Sequence, residues 1–325
     1  MAANEVMTFA AVRGHARAIA QLQAAHARER LAHALLITGL EGIGKQRLAN
    51  AMATWLACTA GAGDACGQCS GCRQMAAGTH PDMRIVTVPS GKKDIRIDAV
   101  RGLRSFMQLT PLNAPYKVAI IHDAHALNLN AQNALLKTLE EPPPRSLLIL
   151  VTHSPGTLLP TVRSRCQRIP CAPLPDSVVV DILGTHGVPA DEARVAAAYA
   201  EGSPGRALQL RGELGARRQQ LLNNLAELPT AGYVRATQMI HDATGRDEPT
   251  LPLALIWSWY RDQAVVAAGA DVGLRNADFS AVPPVSDATI AVRHADAVAD
   301  ALAQVRRGNP NRQLLLEALF LRLGR

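Results

Sequence analysis

The sequence predicts an α/β domain built on a parallel sheet, followed by an all-helical region. Three observations lead to this prediction. Short apolar runs alternate with helical patterns between residues 35 and 152, a glycine-rich loop joins the first run to a helix, and no strand pattern follows Pro175. Strands that alternate with helices form parallel sheets covered by helices on both faces. The C-terminal half should therefore be built separately, from helices alone.

Composition narrows the class of protein. The chain has 325 residues, of which 48% are hydrophobic and 19% charged, so we expect a soluble protein of two or three domains. There is no apolar run of about 18 residues, and we expect no membrane span. The first residues lack the charged and apolar regions of a signal peptide, which predicts a cytoplasmic protein. The net charge of +7 is compatible with a nucleic-acid partner but does not require one.

The elements follow in order. Residues 1–30 read as a helical entry segment. The apolar runs predict four strands, at 35–38, 83–88, 117–123 and 147–152, and the first of them should be buried. Between them, apolar residues at helical spacing predict helices at 46–56, 98–109 and 130–139, and Pro142 to Pro144 end the last of these. Arg168 to Pro170 should close the domain. Residues 175–210 predict short helices with a break at 202–205, and 286–307 and 311–323 are the clearest later helices.

The glycine-rich loop is an almost complete P-loop. Gly39, Gly44 and Lys45 have the spacing of G-x-x-x-x-G-K-[ST], but Gln46 stands where a hydroxyl should be. In a working P-loop that hydroxyl binds Mg²⁺ and the lysine reaches the β- and γ-phosphates. Glutamine is a poor Mg²⁺ ligand, so Mg²⁺ is not expected. Because Lys45 is retained, the sequence leaves ATP binding open.

Four cysteines in a short segment predict a metal site. Cys58, Cys66, Cys69 and Cys72 lie within 58–72, with glycines between the last three. In a cytoplasmic protein this spacing favours a metal over disulfides, and four thiolates suit a closed, structural Zn²⁺ site. A redox pair or free thiols are the alternatives. We expect Cys166 and Cys171 to be core thiols.

The third strand leads to an acid but lacks its usual partner. A working ATPase carries an aspartate there for Mg²⁺ and an adjacent glutamate that polarises the attacking water. This chain has Asp123 followed by Ala124 and His125. His125 is a weak candidate for a substitute base. Together with Gln46, the missing carboxylate argues against hydrolysis by this chain.

Two further features are charged. Glu140 and Glu141 end the helix that contains 133–139, where negative charge opposes the helix dipole. Arg165, in Ser164-Arg165-Cys166, follows the fourth strand. An arginine at a subunit edge can reach a neighbour's γ-phosphate, as arginine fingers do. The alternative is a surface arginine in an ion pair.

These segments together resemble the bacterial clamp-loader AAA+ family. The residues that carry the resemblance are 39–45, the four-cysteine segment, 78–82, 133–143 and 164–166. The resemblance is strong to about residue 172 and weaker after 215. It implies a RecA-like AAA+ domain with a zinc insertion over 1–172, a small helical lid over 173–212 and a helical collar over 213–325.

Within that family the match is closest to a subunit that hydrolyses no ATP itself. The resemblance implies a hetero-pentamer with the gamma/tau ATPases and delta, which loads a sliding clamp onto primed DNA. It makes Arg165 the arginine finger for a neighbour's ATP site. The chain would be part of a DNA-directed DNA polymerase holoenzyme at the replisome, with no ATPase or polymerase activity of its own. Arg206 stands where an active subunit would carry a sensor arginine.

Two alternatives stay open. Lys45, Asp123 and Arg206 are compatible with an active ATPase that resembles gamma/tau. The cysteines and the positive charge are compatible with a zinc-dependent nucleic-acid-binding module. In the clamp-loader family the region of Arg96, Arg101 and Arg104 faces DNA, so sequence-independent phosphate contacts from these residues are a further expectation, against that of a solvated helix face.

Overall fold

The chain divides into two compact units in its computed structural model. The structure describes residues 6–60, 63–210, 214–227, 250–276, 279, 287–307 and 311–323. The first unit contains Met1–Ile182 and Glu201–Arg206, and the second contains Leu183–Ala200 and Ala207–Arg325. The finer division into domains at 172/173 and 212/213 stays a prediction.

The first unit is built on a parallel sheet of five strands. These are β1 (Ala34–Thr38), β2 (Met83–Val86), β3 (Lys117–Ile121), β4 (Ser146–Thr152) and β5 (Gln167–Pro170). Their order across the sheet is β2-β3-β4-β1-β5, and every neighbouring pair is parallel. The predicted parallel sheet is confirmed. The segment that was expected only to close the domain is itself a strand, because Gln167–Pro170 pairs with β1.

Helices cover both faces of this sheet. They are α1 (Ala16–Ala27), α2 (Lys45–Ala57), α3 (Ser70–Ala76), α4 (Ile97–Met107), α5 (Leu129–Glu140) and α6 (Pro160–Arg163). Successive strand residues point to opposite faces. Leu35 and Ile37 therefore join the core on the side of α1 and α2, whereas Leu36 joins the core on the side of α4 and α5.

The third strand is shorter than the sequence suggests. It ends at Ile121, and Asp123 has a left-handed backbone with φ 54°. A residue in that conformation cannot continue a strand, so the chain turns there into a short 3₁₀ segment at Ala124–Ala126. The turn lifts Asp123 off the sheet at the carboxyl end of β3.

The remainder of the described chain is helical. It contains α7 (Asp176–Thr185), α8 (Ala190–Tyr199), α9 (Pro204–Leu210), α10 (Leu214–Glu227) and three later helices, Thr250–Ala267, Ala288–Arg307 and Arg312–Leu323. The predicted helices at 286–307 and 311–323 are confirmed over their described residues. The helix Thr250–Ala267 was not singled out, because its apolar residues do not keep to one side. Within the described ranges, no helix is long and apolar enough to cross a membrane.

The second unit contains a buried polar network that joins several segments. The hydroxyl of Tyr199 donates to Asn276 Oδ1, and Arg218 Nη2 donates to the same oxygen at 3.2 Å. Ser258 Oγ donates to the Tyr199 hydroxyl at 3.1 Å, and Asp262 accepts from the Asn276 side chain at 2.9 Å. Burial of polar groups is tolerated only when they are paired, so the network fixes how α8, α10 and Thr250–Ala267 pack together.

Candidate functional site

The candidate site lies at the carboxyl edge of the sheet. Because the strands are parallel, the segments that follow β1, β3 and β4 all emerge there. These are the P-loop, the turn at Asp123 and His153. Ligands of open α/β sheets bind at this edge. The fold therefore brings together the P-loop and the acid that the sequence analysis treated as one site.

The P-loop has the backbone of a phosphate-binding loop. Gly42 and Gly44 have φ values of 73° and 96°, and α2 begins at Lys45. Lys45 is buried, and its Nζ donates to the carbonyl oxygen of Leu40 at 2.5 Å. Burial lowers the pKa of Lys45, while the nearby Cys171, Glu41 and Asp123 oppose that shift. The lysine thus bonds to its own loop in this structure.

Gln46, which stands where the P-loop motif has a hydroxyl, contacts Asp123. Its Nε2 donates to Asp123 Oδ1 at 3.4 Å. In a working site a Mg²⁺ ion is held between the hydroxyl at this position and that acid. Here the amide N–H of Gln46 points at the carboxylate, so in this arrangement the side chain offers Asp123 a hydrogen-bond donor in place of a metal-binding hydroxyl. The next residue, Ala124, is fully buried in the core, so its position carries no carboxylate for water activation.

Two histidine rings lie in contact near this carboxylate. The ring centroids of His125 and His153 are 4.0 Å apart, and the rings are tilted by 52°. Burial lowers the pKa of His125, and the neighbouring His153 lowers it further, whereas Asp123 and Glu41 oppose the shift. The ring of His125 is therefore biased towards the neutral form.

A second segment of the first unit lies directly on the P-loop. Ser203 Oγ donates to the carbonyl of Glu41 at 2.7 Å, and Gly205 N donates to the carbonyl of Gly42 at 3.0 Å. A Cβ on Gly205 would lie 2.8 Å from the Cα of Gly42, so this contact requires a glycine. The predicted sensor arginine, Arg206, pairs with Glu201 at 3.3 Å.

Arg165 lies at the amino ends of the strands, on the side of the sheet opposite to the P-loop. It precedes β5, which is parallel to β1, so it is at the amino edge while the P-loop is at the carboxyl edge. Its Nη2 lies 2.9 Å from Glu140 Oε1, and its Nη1 donates to the carbonyl of Thr161 at 3.1 Å. The side chain is 36% exposed. The topology thus separates Arg165 from the chain's own P-loop.

The four predicted metal ligands converge. The sulfur atoms of Cys58, Cys66, Cys69 and Cys72 all lie within 4.8 Å of one another. Zn–S bonds of about 2.3 Å in a tetrahedron place the sulfurs about 3.8 Å apart, and Cys58 and Cys69 are separated by 3.9 Å. The residues therefore fit a four-coordinate metal ion.

Backbone N–H groups support this cluster. Those of Gln68 and Cys69 donate to the Cys66 sulfur at 3.5 and 3.4 Å and lower its pKa. At Cys69, burial raises the pKa, but hydrogen bonds from Cys72 and Thr59 outweigh it and bring the pKa to about 5. Burial raises the pKa of Cys72 to about 12, so a cation would be needed to ionise that thiol.

The predicted DNA-contacting arginines lie on or beside α4. Arg96 and Arg101 are exposed, and they pair with Asp94 at 3.5 Å and Asp98 at 3.7 Å. Arg104 lies one turn after Arg101 and is half-buried. Two of the three charges are thus partly neutralised by neighbours, and their contact with DNA stays a prediction.

Three residues at these sites are not predicted by the sequence. The acid of Glu140 opposes the dipole of α5, but its pairing with Arg165 appears only in the structure. The contacts of Ser203 and Gly205 with the P-loop appear only there as well. The unfavourable acid was a usable signal for the first, and the position of Arg206 as a sensor arginine was a signal that its neighbours Ser203 and Gly205 lie near the P-loop.

Comparisons with known proteins agree with the motifs. A family described as "DNA polymerase III, delta subunit" matches residues 14–175. DNA polymerase III subunit delta' of Pseudomonas aeruginosa is 35% identical, over 89% of this chain and 91% of that protein. The corresponding subunit of Escherichia coli is 40% identical, over 60% of this chain and 59% of its own length.

More distant similarities extend to other subunits. DNA polymerase III subunit tau of Bacillus subtilis is 36% identical over 45% of this chain and 26% of its own length. A solved structure of a DNA polymerase III gamma subunit-related protein from Thermotoga maritima aligns with 94% of this chain and covers 98% of its own chain. The identity is 16% and the TM-score is 0.36, and this similarity is too low to support an argument. The near full-length match at 35% identity is decisive: this chain belongs to the DNA polymerase III subunit delta' family.

Proposed function

We propose that this chain is a clamp-loader subunit that hydrolyses no ATP itself and activates hydrolysis on a neighbouring subunit. The observation that carries the proposal is the hydrogen bond between Gln46 Nε2 and Asp123 at 3.4 Å. It directs an amide N–H at the carboxylate that would hold Mg²⁺. The buried Ala124 beside it supports the same interpretation.

Arg165 is the residue that would act on the neighbour. It lies at the amino edge of the sheet, away from the chain's own P-loop, and is partly exposed. A guanidinium delivered in trans can neutralise charge that develops on a γ-phosphate, and such fingers raise kcat by about 10³–10⁵. In this proposal Arg165 is the only catalytic residue of the chain.

The rest of the assembly follows from the family. The partners would be gamma/tau ATPases and delta in a hetero-pentamer that loads a sliding clamp onto primed DNA, in the cytoplasm with the replication machinery. A lid over 173–212 and a collar over 213–325 would complete the subunit, and Arg96, Arg101 and Arg104 would contact DNA phosphates.

The four-cysteine cluster would hold a structural Zn²⁺, since closed Cys₄ sites are of that type.

The test compares ATP turnover of the isolated chain with that of a reconstituted loader. We expect no turnover by the chain alone, and a fall of at least about a hundredfold in hydrolysis at the one ATP site next to this chain when Arg165→Ala is built into the complex. Arg163→Ala is the matched control, because Arg163 is an exposed arginine in the same short segment. Normal turnover by the Arg165→Ala complex would refute the proposal.

An active ATPase of the gamma/tau kind is the second candidate. Lys45 and Asp123 both remain at the carboxyl edge of the sheet, and the similarity to tau supports a common origin. This candidate requires DNA-stimulated turnover by the chain alone that Lys45→Ala abolishes. The same isolated-chain assay therefore decides between the two.

A further inference from the structure

The C-terminal end of α5 carries an unexplained charge. Glu140 is the last residue of the helix and Glu141 follows it. The partial negative charge of a helix C-terminus makes carboxylates unfavourable there. Both acids are exposed, so solvent softens that cost, but neither contributes to the stability of the helix.

The structure gives one of the two acids a partner. Glu140 Oε1 lies 2.9 Å from Arg165 Nη2, and the other terminal nitrogen of the same guanidinium donates to the carbonyl of Thr161. Glu140 precedes β4 and Arg165 precedes β5, and these strands flank β1. Both residues therefore lie at the amino ends of the strands, Glu140 before the buried strand β4 and Arg165 before the edge strand β5.

We propose that Glu140 is a positioning residue that holds the guanidinium of Arg165 ready for the triphosphate bound to an adjacent subunit. The inference rests on the proposed function of Arg165. Glu140 would touch neither the nucleotide nor the reacting atoms. Its role would be to fix where the guanidinium is before the two subunits engage.

The physical reason is conformational entropy. An arginine side chain has many rotamers, and ordering it opposes any contact that it makes. Two anchors on the chain's own fold, the carboxylate of Glu140 and the carbonyl of Thr161, restrict those rotamers in advance. A guanidinium has five N–H donors, so two anchors leave donors for phosphate oxygens.

The opposite role for the same contact makes a different prediction. If Glu140 merely neutralised Arg165, its carboxylate would compete with the phosphate, and removing it would raise turnover. An amide at this position separates the two roles. Glutamine keeps an oxygen that accepts a hydrogen bond from Arg165 but removes the negative charge.

The experiment uses the reconstituted loader with DNA and measures kcat and KM for ATP. Glu140→Ala should lower kcat at the ATP site next to this chain by about three- to tenfold and leave its KM unchanged, because the ordering of one side chain is lost while the neighbour's ATP pocket is intact. Glu140→Gln should restore kcat to near the wild-type value. Glu140→Lys, which places a like charge beside Arg165, should lower kcat more than Glu140→Ala.

Glu141→Ala is the matched control. Glu141 lies at the same helix end and is also exposed, so its removal changes the interaction with the helix dipole in the same way. Its kcat should equal that of the wild type. Assembly of each variant complex is measured by size-exclusion chromatography, and kcat is expressed per assembled complex, so that a loss of assembly is not counted as a loss of catalysis.

The outcomes separate this inference from the function on which it rests. If Arg165→Ala lowers turnover while Glu140→Ala matches Glu141→Ala, only the positioning role is overturned. A rise in kcat for both Glu140→Ala and Glu140→Gln would assign the competing role and overturn it as well. If Arg165→Ala leaves turnover normal, the proposed function fails and this inference fails with it.

Discussion

Replacement of Asp82 by asparagine should destabilise the first unit strongly. Asp82 is fully buried, and its carboxylate accepts hydrogen bonds from Leu112 N at 2.8 Å, Asn113 N at 2.6 Å and Ala114 N at 2.8 Å. It also forms an ion pair of 2.8 Å with Lys117, which is 2% exposed. One carboxylate thus ties the loop that precedes β3 to the residue before β2.

The magnitude follows from what the substitution leaves behind. Removing one member of a buried ion pair costs about 3–5 kcal/mol, because the other charge stays buried and unpaired. The side-chain amide of the Asp82→Asn variant would also turn an NH₂ group towards donors. Against a total stability of about 5–15 kcal/mol, this loss would raise the population of the unfolded first unit by a factor of about a hundred to several thousand.

Hydrogen exchange measures this loss where it occurs. The amides of Leu112, Asn113 and Ala114 should exchange about a hundred- to thousandfold faster in Asp82→Asn, while a peptide from Ala288–Arg307 serves as the internal reference. Urea unfolding should show the same loss. Asp98→Asn is the control, because its pair with Arg101 is exposed, and it should change little.

The pH dependence has a definite sign. Burial by itself would raise the pKa of Asp82, but Lys117 and the three backbone N–H groups outweigh it and hold that pKa below the usual range. A carboxyl with a depressed pKa in the folded state contributes stability above its unfolded pKa of about 3.9. That contribution declines as pH falls below about 4 and disappears only near the folded pKa, so the stability difference between wild type and Asp82→Asn should shrink progressively below about pH 4. A loss under about 1 kcal/mol at pH 7 would refute the reasoning.

Two further predictions concern the metal and the P-loop. Metal analysis of protein purified without added metal should give about one Zn²⁺ per chain. The Cys69→Ser variant should lose this Zn²⁺, whereas the Cys171→Ser variant should keep it. A zinc content near zero in the wild type would refute the site. The Gln46→Thr substitution should remove the amide that donates to Asp123 and tighten Mg²⁺-dependent binding of a fluorescent ATP analogue about tenfold. It should not restore hydrolysis, because Ala124 remains. Equal affinity of the variant for the analogue with and without Mg²⁺ would contradict this prediction.

The sequence predicted the fold well because its signals are local and strong. Four short apolar runs predicted four of the five parallel strands, and helical spacing predicted the helices between them. β5 was missed as a strand, because its exposed edge position leaves Arg168 and Pro170 on the surface and only Ile169 buried. Thr250–Ala267 was missed because it is apolar on more than one side.

The sites were predictable in part for the same reason. Cys58, Cys66, Cys69 and Cys72 are close in sequence, so their spacing alone predicted that they converge. Contacts between distant segments were not predictable. The approach of Ser203 to Glu41 joins residues far apart in the chain, and no local pattern encodes such a contact.

The amino-acid sequence by itself determined which chemical groups are present and which are missing. It set Gln46 and Ala124 in place of a hydroxyl and a carboxylate, and it retained Lys45 and Arg165. Those are facts of residue type, and no folding changes them.

Only the tertiary structure decided where these groups lie. The parallel order of β1 and β5 put Arg165 at the edge opposite the P-loop, and the end of α5 gave it Glu140 as a partner. The turn at Asp123 brought the carboxylate to the amide of Gln46. The direction of a strand and the meeting of two chain ends are set by long-range pairing, which residue types in one stretch of sequence cannot specify.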